Sequence, residues 1–276
     1  MTAGHKAMSL PATPRVIALA NQKGGVGKTT TAINLGTALA ATGEEVLVVD
    51  LDPQGNASTG LGIDRKSRAI STYDLLMGEA TVDEVALQTA VPQVSVAPST
   101  LDLLGVELEI AAMPDRAYRL RQALGAIHNS SRVRNYTYVL VDCPPSLNLL
   151  TINAMAAAHS VLVPLQCEFF ALEGLSQLLQ TVEQVKQSLN PELTIHGIVL
   201  TMFDSRNSLS GQVVADVRAH MGAAVYETVI PRNVRVSEAP SHGKPVLLYD
   251  FKSSGSQAYL RLAAEIIQRE RRLRAA

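Results

Sequence analysis

Short runs of apolar residues, each ending at a polar or glycine-rich break, alternate along this chain with longer segments of helical period. Arg15–Ala20 carries Val16, Ile17 and Leu19 without a polar alternation, the pattern of a strand buried on both faces. Lys28–Thr42 is rich in Ala, Leu and Ile and lacks proline, which predicts a buried helix. Further strands are expected at Glu45–Asp50, Val94–Ala97, Tyr136–Asp142, Ser160–Pro164, Thr194–Met202 and Ala224–Ile230. Helices are expected at Ser71–Met77, Leu101–Ile110, Asp115–Ile127, Leu149–Ala158, Ser210–Met221 and Ser256–Arg274. Leu172, Leu175, Leu179, Val182, Val185 and Leu189 recur at helical spacing and mark a long amphipathic helix closed by Asn190-Pro191. Leu51–Gly62 and Pro231–Gly243 read as loops, punctuated by proline and glycine. Strand–helix alternation to the end predicts a single-domain α/β fold: a doubly wound, mostly parallel sheet with helices on both faces.

One break in this pattern carries chemistry. Between the first strand and the first helix stands Lys23-Gly-Gly-Val-Gly-Lys-Thr29. Strand, glycine loop and helix N-terminus together form the setting of a phosphate-binding loop. Backbone N–H groups from Gly24, Gly25, Val26 and Gly27 turn toward an anion there, joined by those of Lys28, Thr29 and Thr30. Lys28 is placed to meet the β- and γ-phosphates, and the Thr29 hydroxyl to sit on Mg²⁺. The loop departs from the common G-x-x-x-x-G-K-[ST] pattern: the first glycine is replaced by Gln22, and a second lysine, Lys23, opens the motif.

Two strands end in acid. Asp142 closes an apolar run, where a carboxylate holds Mg²⁺ through water. Asp50 closes another, with Asp52 two residues on.

These motifs resemble those of the ParA/MinD ATPases, whose deviant phosphate loop also opens with a lysine. Asn21-Gln22, Asp50-Leu-Asp-Pro-Gln-Gly-Asn56 and Asp142-Cys-Pro-Pro-Ser146 are similar to the ParA/Soj partitioning branch, and the likeness runs from about Arg15 to Arg269. The resemblance implies a P-loop ATPase using ATP and Mg²⁺. Asp52 is then the acid near the attacking water and the Mg²⁺ shell, with Asp50 holding the loop. Asp142-x-Pro-Pro becomes a turn that senses the γ-phosphate. Lys23 is implied to cross a dimer interface to the partner's nucleotide, which makes Lys23, Lys28 and Asp52 the catalytic set and dimerisation dependent on ATP. Pro231 and Asn233 are implied to contact the adenine base.

Composition adds bounds. Of 276 residues, 47% are hydrophobic and only 4% aromatic, so the core is aliphatic. No apolar run is long enough to span a bilayer. Residues 1–14 lack the apolar segment of a secretory signal and are expected to be a flexible leader, leaving 15–276 as the ATPase domain. Cys143 and Cys167 follow no metal spacing, which fits a reducing cytosol. The histidines show no ligand spacing either. Net charge is −1, but from position 200 on there are eleven basic against seven acidic residues. A basic C-terminal third suits a polyanion. Arg206, Arg218, Arg235, Lys244 and Lys252 are the candidates for DNA-phosphate contacts.

Three functions compete at this point. The first is a DNA-segregation switch that dimerises on ATP, binds double-stranded DNA without sequence preference and is released by a ParB-like partner; it would be cytoplasmic and nucleoid-associated. The second is a MinD-like switch anchored on a membrane by its last helix. In that helix Leu260, Leu262, Ile266 and Ile267 are expected to face the sheet, with Arg269, Arg271, Arg272 and Arg274 running to the end, so no stable membrane anchor is expected. The third is a metabolic ligase on the same fold.

Overall fold

The computed structural model describes residues 13–129 and 136–275; most of the expected leader lies outside them. Its strands are β1 (Arg15–Leu19), β2 (Val46–Asp50), β3 (Leu87–Gln88), β4 (Val94–Ala97), β5 (Tyr138–Asp142), β6 (Ser160–Gln166), β7 (Thr194–Phe203) and β8 (Val225–Pro231). They form one sheet in the order β3-β4-β2-β5-β1-β6-β7-β8. Every pairing is parallel except the short β3, which runs antiparallel to β4 at one edge.

The helices are α1 (Lys28–Ala40), α2 (Asn56–Gly60), α3 (Thr72–Met77), α4 (Val82–Val85), α5 (Leu103–Glu109), α6 (Arg119–Gly125), α7 (Leu149–Ala157), α8 (Ala171–Ser188), α9 (Ser208–Met221), α10 (Val234–Glu238), α11 (Val246–Tyr249) and α12 (Ser254–Ala275). The apolar strands explain why helices cover both faces. Successive side chains of a strand point to opposite sides. Val16 and Ala18 of β1 therefore enter one core with α7 and α8, while Ile17 and Leu19 enter the other with α1 and α12. β2 and β5 divide in the same way, and each fully buried Val, Leu or Ile stabilises the fold by roughly 1.5–3 kcal/mol. Gly36 lets α1 lie close on the sheet, since a Cβ there would stand 3.3 Å from Val48 and 3.6 Å from Leu140.

The two expected loops are not loops throughout. α2 interrupts Leu51–Gly62, and α10 with a 3₁₀ turn (Ala239–His242) fills Pro231–Gly243. Both helices are a turn or so long, too short for periodicity to register. α10 begins because Asn233 accepts a hydrogen bond from Arg235 N at 2.8 Å, an Asx cap. β3, α4 and α11 are short for the same reason and were not expected from the pattern.

β1 lies between β5 and β6, the point where the chain's winding reverses. In an open α/β sheet the crevice beyond the carboxyl ends at such a point receives ligands. All the motifs converge there.

Candidate nucleotide-binding site

β1 delivers the chain to a loop braced from both sides. Asn21 donates through Nδ2 to Pro164 O on β6 at 2.8 Å and accepts from Lys23 N at 3.0 Å. The Thr201 hydroxyl of β7 donates to Val26 O at 2.8 Å. Gly25 and Gly27 have φ of 75° and 94°, left-handed conformations that a side chain disfavours. Gly27 caps α1, whose thirteen residues direct their positive end at the loop. Lys28 is only 6% exposed and donates from Nζ to Lys23 O at 2.9 Å. Burial lowers its pKa, while Asp142, Cys143 and Asp52 act in the opposite direction.

Asp50, Asp52 and Asp142 sit in different environments. Asp50 is fully buried and accepts from Ser58 N at 2.8 Å, Ser58 Oγ at 2.6 Å and Asp52 N at 3.2 Å. Burial raises its pKa to about 6, against the pull of those hydrogen bonds. Asp142 is also fully buried, but neither carboxylate oxygen has a hydrogen-bond partner. Burial pushes its pKa well above the usual range and Asp50 adds to this, while the nearby Thr29 and Lys28 oppose it. Asp52 reaches the cleft and accepts from Gln54 N at 3.0 Å.

The cleft holds about 600 Å³ and is lined by Gly24–Gly25, Gly27–Thr30 and Asp52 among others. A smaller cavity of about 90 Å³ opens beyond Gly27 and Thr30 and is lined by Pro231 and Asn233. Lys23 stands outside both, with its side chain 50% exposed and Nζ paired with Glu168.

The basic candidates scatter more widely. Arg206 follows the carboxyl end of β7, 86% exposed and forked onto Asp204 at 2.8 and 2.9 Å. Arg235 opens α10 and pairs with Glu238 at 3.0 Å and Asp250 at 3.5 Å. Lys244 borders a neighbouring groove and Lys252 is exposed just before α12. Arg218 lies in the last turn of α9, donating to Glu227 O at 3.0 Å. Along α9 that is about 15 Å from the helix start, which Arg206 precedes by two residues.

A family model described as an AAA domain matches residues 14–195. The chain is 66% identical over 257 residues to the chromosome partitioning protein ParA of Caulobacter vibrioides (strain NA1000 / CB15N), covering 93% of this chain and 95% of that one. It is 52% identical over 252 residues to the sporulation initiation inhibitor protein Soj of Bacillus subtilis (strain 168), covering 91% and 98%. The chain belongs to the ParA/Soj family of partitioning ATPases. Among solved structures it is similar to cobyrinic acid a,c-diamide synthase from Mycobacterium smegmatis with bound ADP and magnesium, at TM-score 0.81 and 36% identity, covering 94% of this chain and 96% of that one.

As a ParA/Soj ATPase the chain hydrolyses ATP, with Mg²⁺ as cofactor. The residues present fit both. The left-handed glycines and the α1 N-terminus suit a polyphosphate. The two orphaned Asp142 oxygens, beside Thr29, suit a hydrated divalent cation, because a buried carboxylate with no donor is otherwise costly. Mg²⁺ would neutralise charge on the β- and γ-oxygens.

Several residues at the family's site carried no sequence signal. Met202 lines both cavities with φ of 52°, a strained conformation for a side-chain residue. Thr201, Glu168 and Pro240 arrive from distant elements, and only the folded sheet brings them to the loop.

Proposed function

We propose that this ATPase is a DNA-segregation switch whose ATP-bound form is a homodimer with Lys23 acting in trans. The observation that carries the reading is the contrast between two lysines of one loop. Lys28 is buried under the phosphate site, while Lys23 is half-exposed on the outer rim and outside its own cleft. Exchanging its surface pair with Glu168 for a facing protomer's γ-phosphate would make it a finger cation supplied in trans, worth about 10³–10⁵ in rate.

In this reading Gly24–Thr30 bind the phosphates, and Pro231 and Asn233 border the base. Thr29 and Asp142 hold Mg²⁺, with Asp52 contributing to its shell and orienting the attacking water. Lys28 and the partner's finger stabilise charge on the transferred group. Arg206, Arg235, Lys244 and Lys252 contact double-stranded DNA through its phosphates, with Arg218 at the far end of α9. A ParB-like protein stimulates hydrolysis and thereby release, and the protein works in the cytoplasm on the nucleoid.

A MinD-like membrane switch finds less support. Leu262 and Ile266 of α12 are fully buried against the sheet and α1, and Leu260 and Ile267 pack on the same core. Among the described residues no helix is long and apolar enough to cross a membrane. The ligase reading draws on the 36% structural relative and is outweighed by the identities to partitioning proteins.

The test is ATP turnover with and without DNA and a ParB-like partner, beside co-sedimentation with anionic liposomes. Turnover raised by DNA and partner together supports the switch. ATP-dependent binding to liposomes with none to DNA would transfer the case to the membrane reading.

A further inference from the structure

One wall of the nucleotide cleft is the stretch 52–63, which contributes Asp52, Gln54, Asn56 and Thr59. It has little regular structure of its own: α2 is five residues long and lies between two left-handed glycines, Gly55 at φ 64° and Gly62 at φ 83°. Its shape is held from outside by Arg68, which is 6% exposed. Arg68 Nη1 donates to Gly55 O at 3.3 Å and Ser99 O at 3.2 Å. Nη2 donates to Thr59 Oγ1 at 2.7 Å and Ile63 O at 2.7 Å. One planar fork thus reaches both ends of the stretch and the loop after β4.

The connection continues to the acid. Ser99 Oγ donates to Asp52 O at 2.6 Å, and Ser99 N donates to Ser58 Oγ at 3.1 Å, which in turn donates to Asp50. Arg68 therefore fixes Ser99, and Ser99 fixes the backbone of Asp52. The sequence accommodates this at a cost. All four acceptors are neutral, and Nε is buried without a partner. A Cβ at Gly55 would lie 2.3 Å from Nη1 and 3.1 Å from Ser99 O, so a side chain there would displace the fork, and the φ of 64° itself favours glycine.

We propose that Arg68 is a positioning residue for ATP hydrolysis, holding Asp52 at the depth the reaction needs. This rests on Asp52 being the water-orienting acid. Arg68 does not touch the cleft's phosphate end; it acts through the backbone. Misplacing a reacting group by about 1 Å costs on the order of 10²-fold in rate, while the phosphate loop, which dominates ATP binding, is braced separately by Asn21 and Thr201. The chemistry points to arginine in particular, because a lysine's single nitrogen cannot span acceptors lying in four directions.

The experiment measures kcat and KM for ATP in Arg68→Lys, Ser99→Ala, Asp52→Ala and the double variant Arg68→Lys/Asp52→Ala. Ser99→Ala keeps the fork and removes only the last link, so it serves if Arg68→Lys does not fold. The expected result is a fall in kcat of about 10–100-fold in Arg68→Lys and a smaller fall in Ser99→Ala. KM should stay within about threefold, and the double variant should be no slower than Asp52→Ala alone. Full turnover in folded Arg68→Lys, or in Ser99→Ala where Arg68→Lys does not fold, with Asp52→Ala inactive, overturns the proposal and leaves Asp52's role standing. Losses that multiply in the double variant overturn it as well. Full turnover in Asp52→Ala overturns the Asp52 assignment and the proposal with it.

Discussion

Asp50 and Asp142 end adjacent parallel strands directly opposite each other, yet one carboxylate accepts three hydrogen bonds and neither oxygen of the other has a partner. Identical side chains at the same level of one sheet have been given different work. Asp50 is anchored to α2 through Ser58 and shapes the loop. Asp142 is left open toward Thr29 and the foot of the phosphate loop.

Their substitutions should therefore separate. Asp142→Ala is expected to raise the Mg²⁺ concentration needed for half-maximal turnover by about 10–100-fold, the usual cost of losing a carboxylate that holds a metal through water. Asp50→Ala is expected to lose about 1–3 kcal/mol of stability, because Ser58 N–H and Oγ–H lose their acceptor. Magnesium titrations of activity and urea melts of both variants make the check. A shared Mg²⁺ defect with no stability loss in Asp50→Ala would contradict the division.

At the opposite end of the sheet a buried polar cluster ties α12 down. Glu270 accepts from His196 Nε2 at 2.8 Å and from Arg15 Nε at 2.9 Å, and the Tyr226 hydroxyl bonds His196 Nδ1. Burial raises the Glu270 pKa, but His196 and Arg15 more than offset it, so the net shift is downward. A carboxyl with a depressed folded pKa contributes stability above its ordinary range and loses it as pH falls through the folded value. Glu270→Gln should cost about 1–3 kcal/mol at neutral pH, and the gap should close in acid, below about pH 4. Denaturant melts at the two pH values test this; an equal gap at both would show that the charge contributes nothing.

DNA binding should be limited by the protein's own acids. Arg206 is exposed and forked onto a partly exposed Asp204, and pairs at the surface are worth about 0–1 kcal/mol, so a phosphate can displace the carboxylate cheaply. Arg235→Glu should abolish ATP-dependent binding to unrelated duplexes, and Asp204→Asn should tighten it. In wild type, log affinity should fall against log salt by about 0.9 per phosphate contacted. Gel-shift titrations over salt measure all three. Unchanged binding in Arg235→Glu would move the DNA face elsewhere.

The sequence made the sheet legible because its strands are apolar on both faces and two of them end at recognisable acids, so seven of the eight described strands match the expected ones within about two residues. The phosphate loop was legible because its glycines and lysines are contiguous. The cleft's far wall was not. Arg68 reaches Ser99 from 31 residues away and Thr201 reaches Val26 from 175, and nothing in local spacing marks an arginine that donates to carbonyls. Counting the basic residues grouped them as a set without showing their spread: Arg206 precedes α9 and Arg218 lies in its last turn.

If Lys23 serves the neighbour's ATP, mixing two inactive variants should restore turnover. Lys23→Ala lacks the finger but keeps Asp52; Asp52→Ala lacks the acid but keeps the finger. If Lys23 acts in trans, each mixed dimer contains one site with both groups. Half the dimers in an equimolar mixture are mixed, so ATP turnover should recover to roughly a quarter of wild type in a two-fold symmetric dimer. If Lys23 serves its own nucleotide, no combination completes a site, and a mixture as inactive as its components would contradict the account.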